Sequence, residues 1–366
     1  MEFVLSEICQ QIMAARGAER PVYICGGRSK DFYGEPFQGG SFPDIAVLDM
    51  SAYHGIINYH PSELVITARA GTLLSELESA LDEQNQMLAF EPPRFGSAST
   101  IGGCVASGLA GPRRMAAGSV RDFVLGAKLL DSTGMVLGFG GEVMKNVAGY
   151  DVSRLLAGSM GILGALLEVS IKVAPKPPLE RTQVLDADES RALELFNQWR
   201  GLPIAISATA WSQGKDEGAG RLYIRLSGSE PAVQSGVRKV GGEQLPDGQA
   251  AAFWNSLRDQ THPFFQARPL WRVAVPPQTA PLRQGPTLVE WNGGQRWLSG
   301  VDSPADLRAA VAARGGHATL FRYDSKPADV PVFHPLDDGL KNINRRLKQE
   351  LDPVGIFNPK RLFPDF

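Results

Sequence analysis

The spacing of apolar residues predicts three helices in the outer parts of the chain. Between residues 4 and 16, apolar side chains recur every three or four positions, which is typical of one helix face. The same spacing returns over 73–81, and Thr72 directly before it has a side chain suited to cap a helix. A third apolar stripe runs from Leu336 to Leu351, and Asp352-Pro353 is expected to end that helix.

Other apolar runs have the length and pattern of strands. Residues 22–25 and 64–70 are short apolar segments, each followed by glycine. Residues 123–130 and 135–139 flank an Asp-Ser-Thr-Gly turn, which predicts a hairpin. Apolar and polar residues alternate over 169–173, so this strand is predicted to face solvent on one side.

A proline-rich run at 174–178 predicts a boundary between two parts of the chain. Its three prolines favour a stiff connector over a continuing helix or strand. Beyond it glycine becomes rarer, and helical and strand patterns alternate, which predicts an α+β domain built on an antiparallel sheet. The predicted helices there are 190–200 and 249–260, and the predicted strands are 221–226, 271–275 and 287–291.

Composition and charge argue against several kinds of partner. The 366 residues are enough for two domains, and a net charge of -2 gives no basic excess for a nucleic acid. No apolar run reaches the roughly 18 residues of a membrane span, and the N-terminus has no signal-peptide pattern. The three cysteines lie far apart, which favours reduced thiols in a cytoplasm, and the five histidines form no metal-binding pair.

Glycine is concentrated between residues 96 and 164, where fifteen glycines alternate with apolar runs. Such a backbone can approach a large flat ligand closely, and this pattern favours a dinucleotide. Upstream, the loop Gly26-Gly27-Arg28-Ser29-Lys30 follows a predicted strand, and its backbone N–H groups are candidates for a pyrophosphate nest. A plain strand-to-helix turn is the alternative interpretation of this loop.

Further glycine motifs lie inside the glycine-rich region. Thr100-Ile101-Gly102-Gly103 and the run from Gly108 to Arg114 suit a phosphate or a ring edge, with a glycine-rich surface loop as the alternative. Gly158, Gly161 and Gly164 would let the backbone turn sharply against a cofactor. The run between Gly158 and Gly161 is not the G-x-S-x-G of a nucleophile elbow, so a serine hydrolase is not predicted.

Taken together, these motifs resemble those of the flavin-binding family named for p-cresol methylhydroxylase and vanillyl-alcohol oxidase. The sequences that carry the resemblance are GGRSK, TIGG, KNVAGYD, LLAGSMGILG and the terminal GIFNPKR. Within that family, the chain resembles the E subunits of bacterial glycolate oxidases almost from end to end. The segments that carry this resemblance are GPRR, GSVRDFVLG, GGEVMKNVAGYD and LDPVGIFNP.

The resemblance implies an α+β fold, with a bipartite FAD-binding domain and an inserted antiparallel α+β cap domain. The FAD-binding domain is expected over 1–175, the cap region over 179–330, and a C-terminal helix and tail that return to the FAD domain over 331–366. The cofactor-binding residues that the resemblance implies are Gly26, Gly27, Arg28, Ser29, Lys30, Pro93, Thr100, Ile101, Gly103, Gly111, Gly158 and Gly164.

The same resemblance implies that FAD is bound noncovalently. Relatives with covalent FAD attach it through a His in the first loop or a Cys before the TIGG motif. Arg28 and Ser29 fill the first position here, and residues 97–99 fill the second with serine and alanine.

A 2-hydroxy acid substrate is also implied. Its oxidation needs a cation for the carboxylate, a base for the hydroxyl proton and the flavin as hydride acceptor. The candidates for these roles are the cations Arg113, Arg114 and Arg322 and the bases Tyr150, Lys145 and His317, of which Arg113, Tyr150 and Arg322 are preferred.

Each candidate has a structural alternative. Arg113 and Arg114 can contact the FAD phosphates or another subunit, Tyr150 can pack against the cofactor, and His317 can end a helix. The cap region also lacks the metal-binding His pair of related dehydrogenases. Aromatic residues in the cap favour a small domain core, with a subunit interface as the alternative; they are Trp254, Phe264, Phe265, Trp271, Trp291 and Trp297.

The predicted function is FAD-dependent oxidation of glycolate, and of D-lactate, to the 2-oxo acid within a complex. The expected partners are a D-type flavin subunit and an F-type iron–sulfur subunit, and the expected location is the cytoplasm, at the inner membrane through the complex. Three cysteines are too few for a cluster held by four thiolates. Two alternatives stay open: an electron-relay or structural flavoprotein without its own turnover, and a stand-alone FAD-dependent 2-hydroxy acid dehydrogenase.

Overall fold

A computed structural model describes residues 1–37, 44–141, 151–214 and 219–366. Its helices are α1 (Glu2–Gly17), α2 (Leu74–Asp82), α3 (Ile101–Ser107), α4 (Arg114–Ala117), α5 (Val120–Phe123), α6 (Val152–Leu155), α7 (Glu189–Arg200), α8 (Glu230–Val240), α9 (Asp247–Arg258), α10 (Pro304–Ala312) and α11 (Asp338–Leu351). Its strands are β1 (Val22–Cys25), β2 (Ala46–Asp49), β3 (Ile56–His60), β4 (Val65–Arg69), β5 (Gln86–Met87), β6 (Val124–Leu130), β7 (Val136–Gly140), β8 (Ala165–Lys172), β9 (Ala174–Pro175), β10 (Leu179–Asp186), β11 (Ile206–Gln213), β12 (Gly220–Gly228), β13 (Glu243–Leu245), β14 (Leu270–Ala274), β15 (Thr287–Glu290), β16 (Gln295–Ser299) and β17 (His317–Arg322).

Two sheets dominate the part of the first half that the structure describes. A five-stranded antiparallel sheet has the order β3-β4-β8-β6-β7, and β1 pairs in parallel with β2 beside it. The predicted hairpin of β6 and β7 is present, and its turn is held by Asp131, whose Oδ1 accepts the backbone N–H groups of Thr133 and Met135 at 2.8 and 2.9 Å. Helices α2 and α3 bury their apolar faces in the core beneath this sheet.

An antiparallel sheet organises residues 179–322. Its eight described strands have the order β13-β10-β12-β11-β15-β16-β14-β17, and every neighbouring pair is antiparallel. Helices α7 and α8 cover part of it with buried apolar side chains. The predicted α+β fold is confirmed, whereas the predicted domain limits stay predictions.

A shared apolar cluster joins the first half of the chain to the cap region. Tyr33 and Leu109 from the first half pack with Trp254, Trp297 and Phe321 from the cap, and all five are buried. Part of the predicted aromatic group therefore forms core between the two halves. A role of these aromatic residues in a subunit interface stays a prediction.

The C-terminal segment lies beside the first strand. The backbone N–H of Val22 donates to Ile356 O at 2.7 Å, and the N–H of Asn358 donates to Val22 O at 2.9 Å. This segment is held by Asp352, which is 1% exposed and accepts hydrogen bonds from the backbone N–H groups of residues 355–357. The Nζ of buried Lys348 lies 2.6 Å from the same carboxylate.

Three details of the sequence-based prediction were wrong. Thr72 is not the helix cap, because its Oγ1 donates to Arg69 O and accepts from the Gly55 N–H. The strand over 169–173 is not open to solvent on its polar side, because Ser170 is buried and its Oγ lies 2.9 Å from Thr67 Oγ1. The proline-rich connector begins as the two-residue strand β9, which pairs with β5.

Candidate functional site

A candidate site is a cleft between the end of β1, helix α3 and the C-terminal segment. It holds about 790 Å³ of space, including its open side. The predicted residues that line it are Gly26, Gly27, Arg28, Ser29, Lys30, Thr100, Gly103 and Gly164. Gly161, which the sequence places against a cofactor, lines it as well. The lining residues that the sequence did not single out include Tyr23, Ser107, Met160, Asn358 and Arg361.

Two glycines allow the loop after β1 to lie against the loop before α3. A Cβ on Gly27 would lie 1.5 Å from Ala98 O, and one on Gly26 would lie 2.7 Å from Thr100 Oγ1. Gly103 differs, because its Cβ would come within 4 Å only of Thr100 Oγ1, at 3.3 Å. Since Gly103 also lines the cleft, a side chain there would project into space that a ligand needs.

The loop after β1 has unused hydrogen-bond donors that could bind an anion. Within the described ranges, no group accepts the backbone N–H of Gly26, Gly27 or Arg28. Lys30 Nζ donates to Ser99 Oγ at 2.5 Å and to Ser29 Oγ at 3.3 Å, and no described carboxylate lies within 4.0 Å of it. Burial lowers the pKa of this ammonium group. A partly buried cation without a described counter-ion, beside free amides, fits the pyrophosphate of a dinucleotide.

The C-terminal segment supplies two lining side chains that hold the cleft together. Asn358 Oδ1 accepts from the N–H of Ile24 at 2.8 Å, and its Nδ2 donates to Met160 O at 2.7 Å. The guanidinium group of Arg361 donates to three backbone carbonyls of residues 31–35. These contacts hold β1, the segment at Met160 and residues 31–35 in place relative to the C-terminal segment.

Four predicted cofactor residues lie away from this cleft, and their predicted role stays untested. Ile101 is fully buried in the core under the five-stranded sheet. Gly158 packs against Gly108, where an added Cβ would lie 3.0 Å from the Gly158 Cα. Pro93 and Gly111 line a second, smaller cavity against the cap sheet.

The second cavity holds about 280 Å³ by the same measure, and polar side chains from the cap sheet form one wall. Arg272 Nε donates to Gln295 Oε1 at 2.7 Å, and Gln295 Nε2 donates to Glu290 Oε2 at 3.0 Å. Trp297 Nε1 donates to the same Glu290 oxygen at 2.6 Å. Burial raises the pKa of Glu290 to about 7. Nothing in the local sequence of β14 or β15 marks Arg272 or Glu290 as functional.

The structure places the three preferred catalytic candidates in different settings. Arg113 is buried and engaged by Glu180 at 2.5 Å and Glu91 at 3.4 Å, which favours a structural role. Tyr150 lies outside the described residues, as does Lys145. Arg322 lies over the ring of Phe32, with its guanidinium carbon 4.1 Å from the centroid.

The guanidinium group of Arg322 remains available to bind an anionic ligand. Gln260 accepts from its Nη2 at 3.2 Å, and no described carboxylate lies within 4.0 Å of its guanidinium group. Burial lowers its pKa to about 10. The Phe95 ring lies 5.3 Å from the Arg322 guanidinium carbon and 5.7 Å from Nζ of Lys30, which lines the first cleft.

Arg114 and His317 both lie near Arg272, a residue that lines the second cavity. Arg114 stacks on Trp291 at 4.6 Å, and Arg272 stacks on the same indole at 5.3 Å. His317, the first residue of β17, has its pKa lowered by burial and by the charges of Arg272 and Arg114. The structure therefore brings two of the secondary candidates together around Arg272.

Residues 1–37, 44–141, 151–214 and 219–366 contain no group of three or more His, Cys, Asp or Glu side chains placed to bind a metal ion. Over the same ranges, no helix has both the length and the apolar character needed to cross a bilayer.

Comparison with known proteins identifies similar sequences over the whole chain. Residues 5–140 match the family described as FAD binding domain. The chain is 41% identical to glycolate oxidase subunit GlcE of Escherichia coli K12 over 361 residues, which cover 98% of this chain and 97% of that protein. It is 32% identical to glycolate oxidase subunit GlcD of Bacillus subtilis, over 43% of this chain and 31% of that protein.

Among solved structures, alkyldihydroxyacetonephosphate synthase is similar in fold. Its TM-score is 0.67 at 16% sequence identity, over 98% of this chain and 76% of that one. At this identity the likeness shows the fold alone. The predicted FAD cofactor is confirmed by the family match and the GlcE relative, and the first cleft has the donors that such a cofactor requires.

Proposed function

Because the chain belongs to the family of glycolate oxidase GlcE subunits, which are flavoproteins of the p-cresol methylhydroxylase and vanillyl-alcohol oxidase type, we propose that it is the FAD-binding subunit of a glycolate-oxidising complex. The complex converts glycolate, and D-lactate, to the corresponding 2-oxo acid. The observation that carries this proposal is the 41% identity over 98% of the chain. The cleft beside β1 supports it independently, through its size and its unused donors.

The chain's own residues account for how FAD would be held. The N–H groups of the loop from Gly26 to Arg28 and the ammonium group of Lys30 would bind the pyrophosphate. Gly103 leaves room for the cofactor to approach α3. Asn358 and Arg361 hold the walls in place. When bound, FAD supplies a two-electron acceptor.

Noncovalent attachment is our first expected result. Arg28, Ser29 and the serine and alanine residues of 97–99 occupy the positions where relatives carry a linking His or Cys. Acid precipitation of the purified protein should therefore release the flavin into the supernatant. A yellow pellet that keeps its flavin after washing would refute noncovalent binding.

Electrons are proposed to leave the flavin for an iron–sulfur partner and then a membrane acceptor. The chain has three cysteines, one fewer than a cluster with four thiolate ligands needs. The resemblance to glycolate oxidase implies a D-type flavin subunit and an F-type iron–sulfur subunit as the partners. We propose a cytoplasmic chain that lies at the inner membrane through this complex.

Substrate turnover is proposed to require those partners. The preferred cation Arg113 is already paired with Glu91 and Glu180, and the described residues contain no metal-binding group to polarise a hydroxyl. Arg322 stays available as a clamp for a carboxylate.

An electron-relay or structural flavoprotein is the second candidate function. The ion pairs of Arg113 with Glu91 and Glu180 favour it, because they leave this arginine without a free charge for a substrate. A stand-alone dehydrogenase is the third.

Anaerobic mixing with glycolate separates these candidates. The isolated FAD-loaded subunit should show little loss of visible flavin absorbance, because its flavin stays oxidised. The reconstituted complex should bleach rapidly. If the isolated subunit were reduced as fast as the complex, it would be an independent dehydrogenase; if the complex also failed to bleach, glycolate would be the wrong substrate.

A further inference from the structure

Glu290 is a buried acidic side chain of which one carboxylate oxygen has no described donor. Trp297 Nε1 and Gln295 Nε2 both donate to its Oε2, at 2.6 and 3.0 Å. Within the described ranges, no group donates to Oε1. Glu290 is 3% exposed and lines the second cavity, so bulk solvent does not surround this oxygen. A buried polar atom of this kind requires a partner, because leaving it unpaired costs free energy.

The second cavity has room for a water molecule as that partner. Its space of about 280 Å³ lies between closely spaced walls, and a water fits at about one position. Besides Glu290, the polar side chains that line the cavity are those of Arg258, Gln260, Arg272 and Gln295. Arg258 and Gln260 are partly exposed, so the water beside them can exchange with solvent. A carboxyl group and an exchangeable water are sufficient to bind and release a proton.

The charges around Glu290 allow it to titrate near neutral pH. Burial raises the pKa of Glu290 to about 7, against the lowering effects of its two hydrogen bonds and of the Arg272 charge. Glu91, from the first half of the chain, acts in the same direction as burial. Arg258, from α9, lines the same cavity, but Asp259 neutralises it at 2.7 Å.

This carboxyl group lies close to the first cleft, because a single layer of backbone separates the two cavities. Ser107 lines the first cleft, and Leu109, two residues later, lines the second cavity. Two residues of extended chain span at most about 7 Å. Leu109 also belongs to the same buried cluster as Met160, which lines the first cleft. A unit charge about 12 Å from a buried group changes its pKa by about one unit at an effective dielectric constant near 20.

We propose that Glu290, with one buried water, is a redox-linked proton-binding site that takes up a proton when the bound FAD is reduced. A flavin that gains two electrons and one proton gains one negative charge. That charge favours the protonated form of Glu290, and the second proton comes from solvent through the water beside Arg258 and Gln260. On reoxidation the two electrons leave for the acceptor and both protons return to solvent. The inference needs FAD binding but no particular substrate, so it goes beyond the proposed function.

Potentiometric titration of the FAD-loaded protein across neutral pH, with a chemical reductant and mediator dyes, tests the proposal. Each proton taken up with two electrons lowers the midpoint potential by about 30 mV per pH unit. If the pKa of Glu290 rises by about one unit on reduction, wild-type protein should take up about 1.5 protons between the two pKa values, a slope of about 45 mV per pH unit. Glu290→Gln should show a slope of about 30 mV per pH unit in the same range.

Glu189→Gln is the matched control. Glu189 is also a carboxyl group whose pKa is raised by burial, but it lies on α7 and lines neither cavity. This variant should keep the wild-type slope. Equal slopes in wild-type protein and in FAD-loaded Glu290→Gln would overturn the inference.

Infrared difference spectra of reduced minus oxidised protein identify the group that is protonated, since protonation of the flavin itself also steepens the slope. A protonated-carboxyl band should appear on reduction of wild-type protein and should be absent from Glu290→Gln. If flavin absorbance shows that Glu290→Gln holds no FAD, Glu290→Asp takes its place and should shift this band. FAD-loaded wild-type protein without the band would overturn the inference alone, whereas wild-type protein that binds no FAD would overturn the proposed function.

Discussion

Replacing Gly103 by tryptophan is expected to abolish FAD binding. The Gly103 Cβ would meet only Thr100 Oγ1 at 3.3 Å, so an indole there would extend into the cleft and not into the protein core. Because it would fill volume that the cofactor occupies, we expect the Kd for FAD to rise more than about 100-fold. Flavin occupancy of the purified variant, measured by absorbance, and titration with FAD check this result.

The matched control is Gly201→Trp, at the exposed end of α7. No atom lies within 4 Å of an added Cβ there, and its φ of -83° is open to any residue. This variant should keep full flavin occupancy. Equal occupancy in the two variants would show that the cofactor does not pass over Gly103, and the assignment of the first cleft to FAD would then fail.

Replacing Asp352 by alanine is expected to destabilise the protein strongly and to weaken FAD binding with it. The change removes the charged partner of buried Lys348 and leaves the backbone N–H groups of Ile356 and Phe357 without their acceptor. Breaking a buried ion pair costs about 3–5 kcal/mol in free energy of unfolding. A urea titration followed by circular dichroism, at matched FAD concentrations, measures this loss.

The surface ion pair of the same helix provides the control. Asp365 lies beside Lys341 and Arg345, with Arg345 Nη2 at 3.0 Å, and all three side chains are at least a third exposed. Asp365→Ala should cost less than about 1 kcal/mol, because solvent screens exposed pairs. Similar losses in the two variants would mean that Asp352 does not organise the C-terminal segment.

Local patterns located most of the elements. The strand predicted at 22–25 coincides with β1, and the helix predicted at 190–200 differs from α7 by one residue at its start. Such elements are recognisable because burial of one face requires apolar residues at regular, closely spaced positions. The glycine loops were recognisable for a related reason, since close backbone approach excludes other side chains.

Contacts between distant parts of the chain could not be predicted in this way. Asn358 reaches Ile24 across 334 positions, and no local period connects them. Arg113 was a reasonable candidate clamp from its motif, but the two carboxylates that engage it come from 22 and 67 positions away. Glu290 and Arg272 lie in ordinary strand patterns and become a possible site only when the sheet faces the glycine-rich loop.

The position of the C-terminal segment also bears on how the protein is made. Val22, near the start of the chain, takes its hydrogen-bond partners from Ile356 and Asn358, and Arg361 closes the loop of residues 31–35. Domains generally begin to fold from the N-terminus during synthesis. This one cannot complete its cofactor cleft until residues 352–361 have left the ribosome. FAD should therefore be acquired only after those residues have been made, and a nascent chain stalled before Asp352 should emerge without flavin.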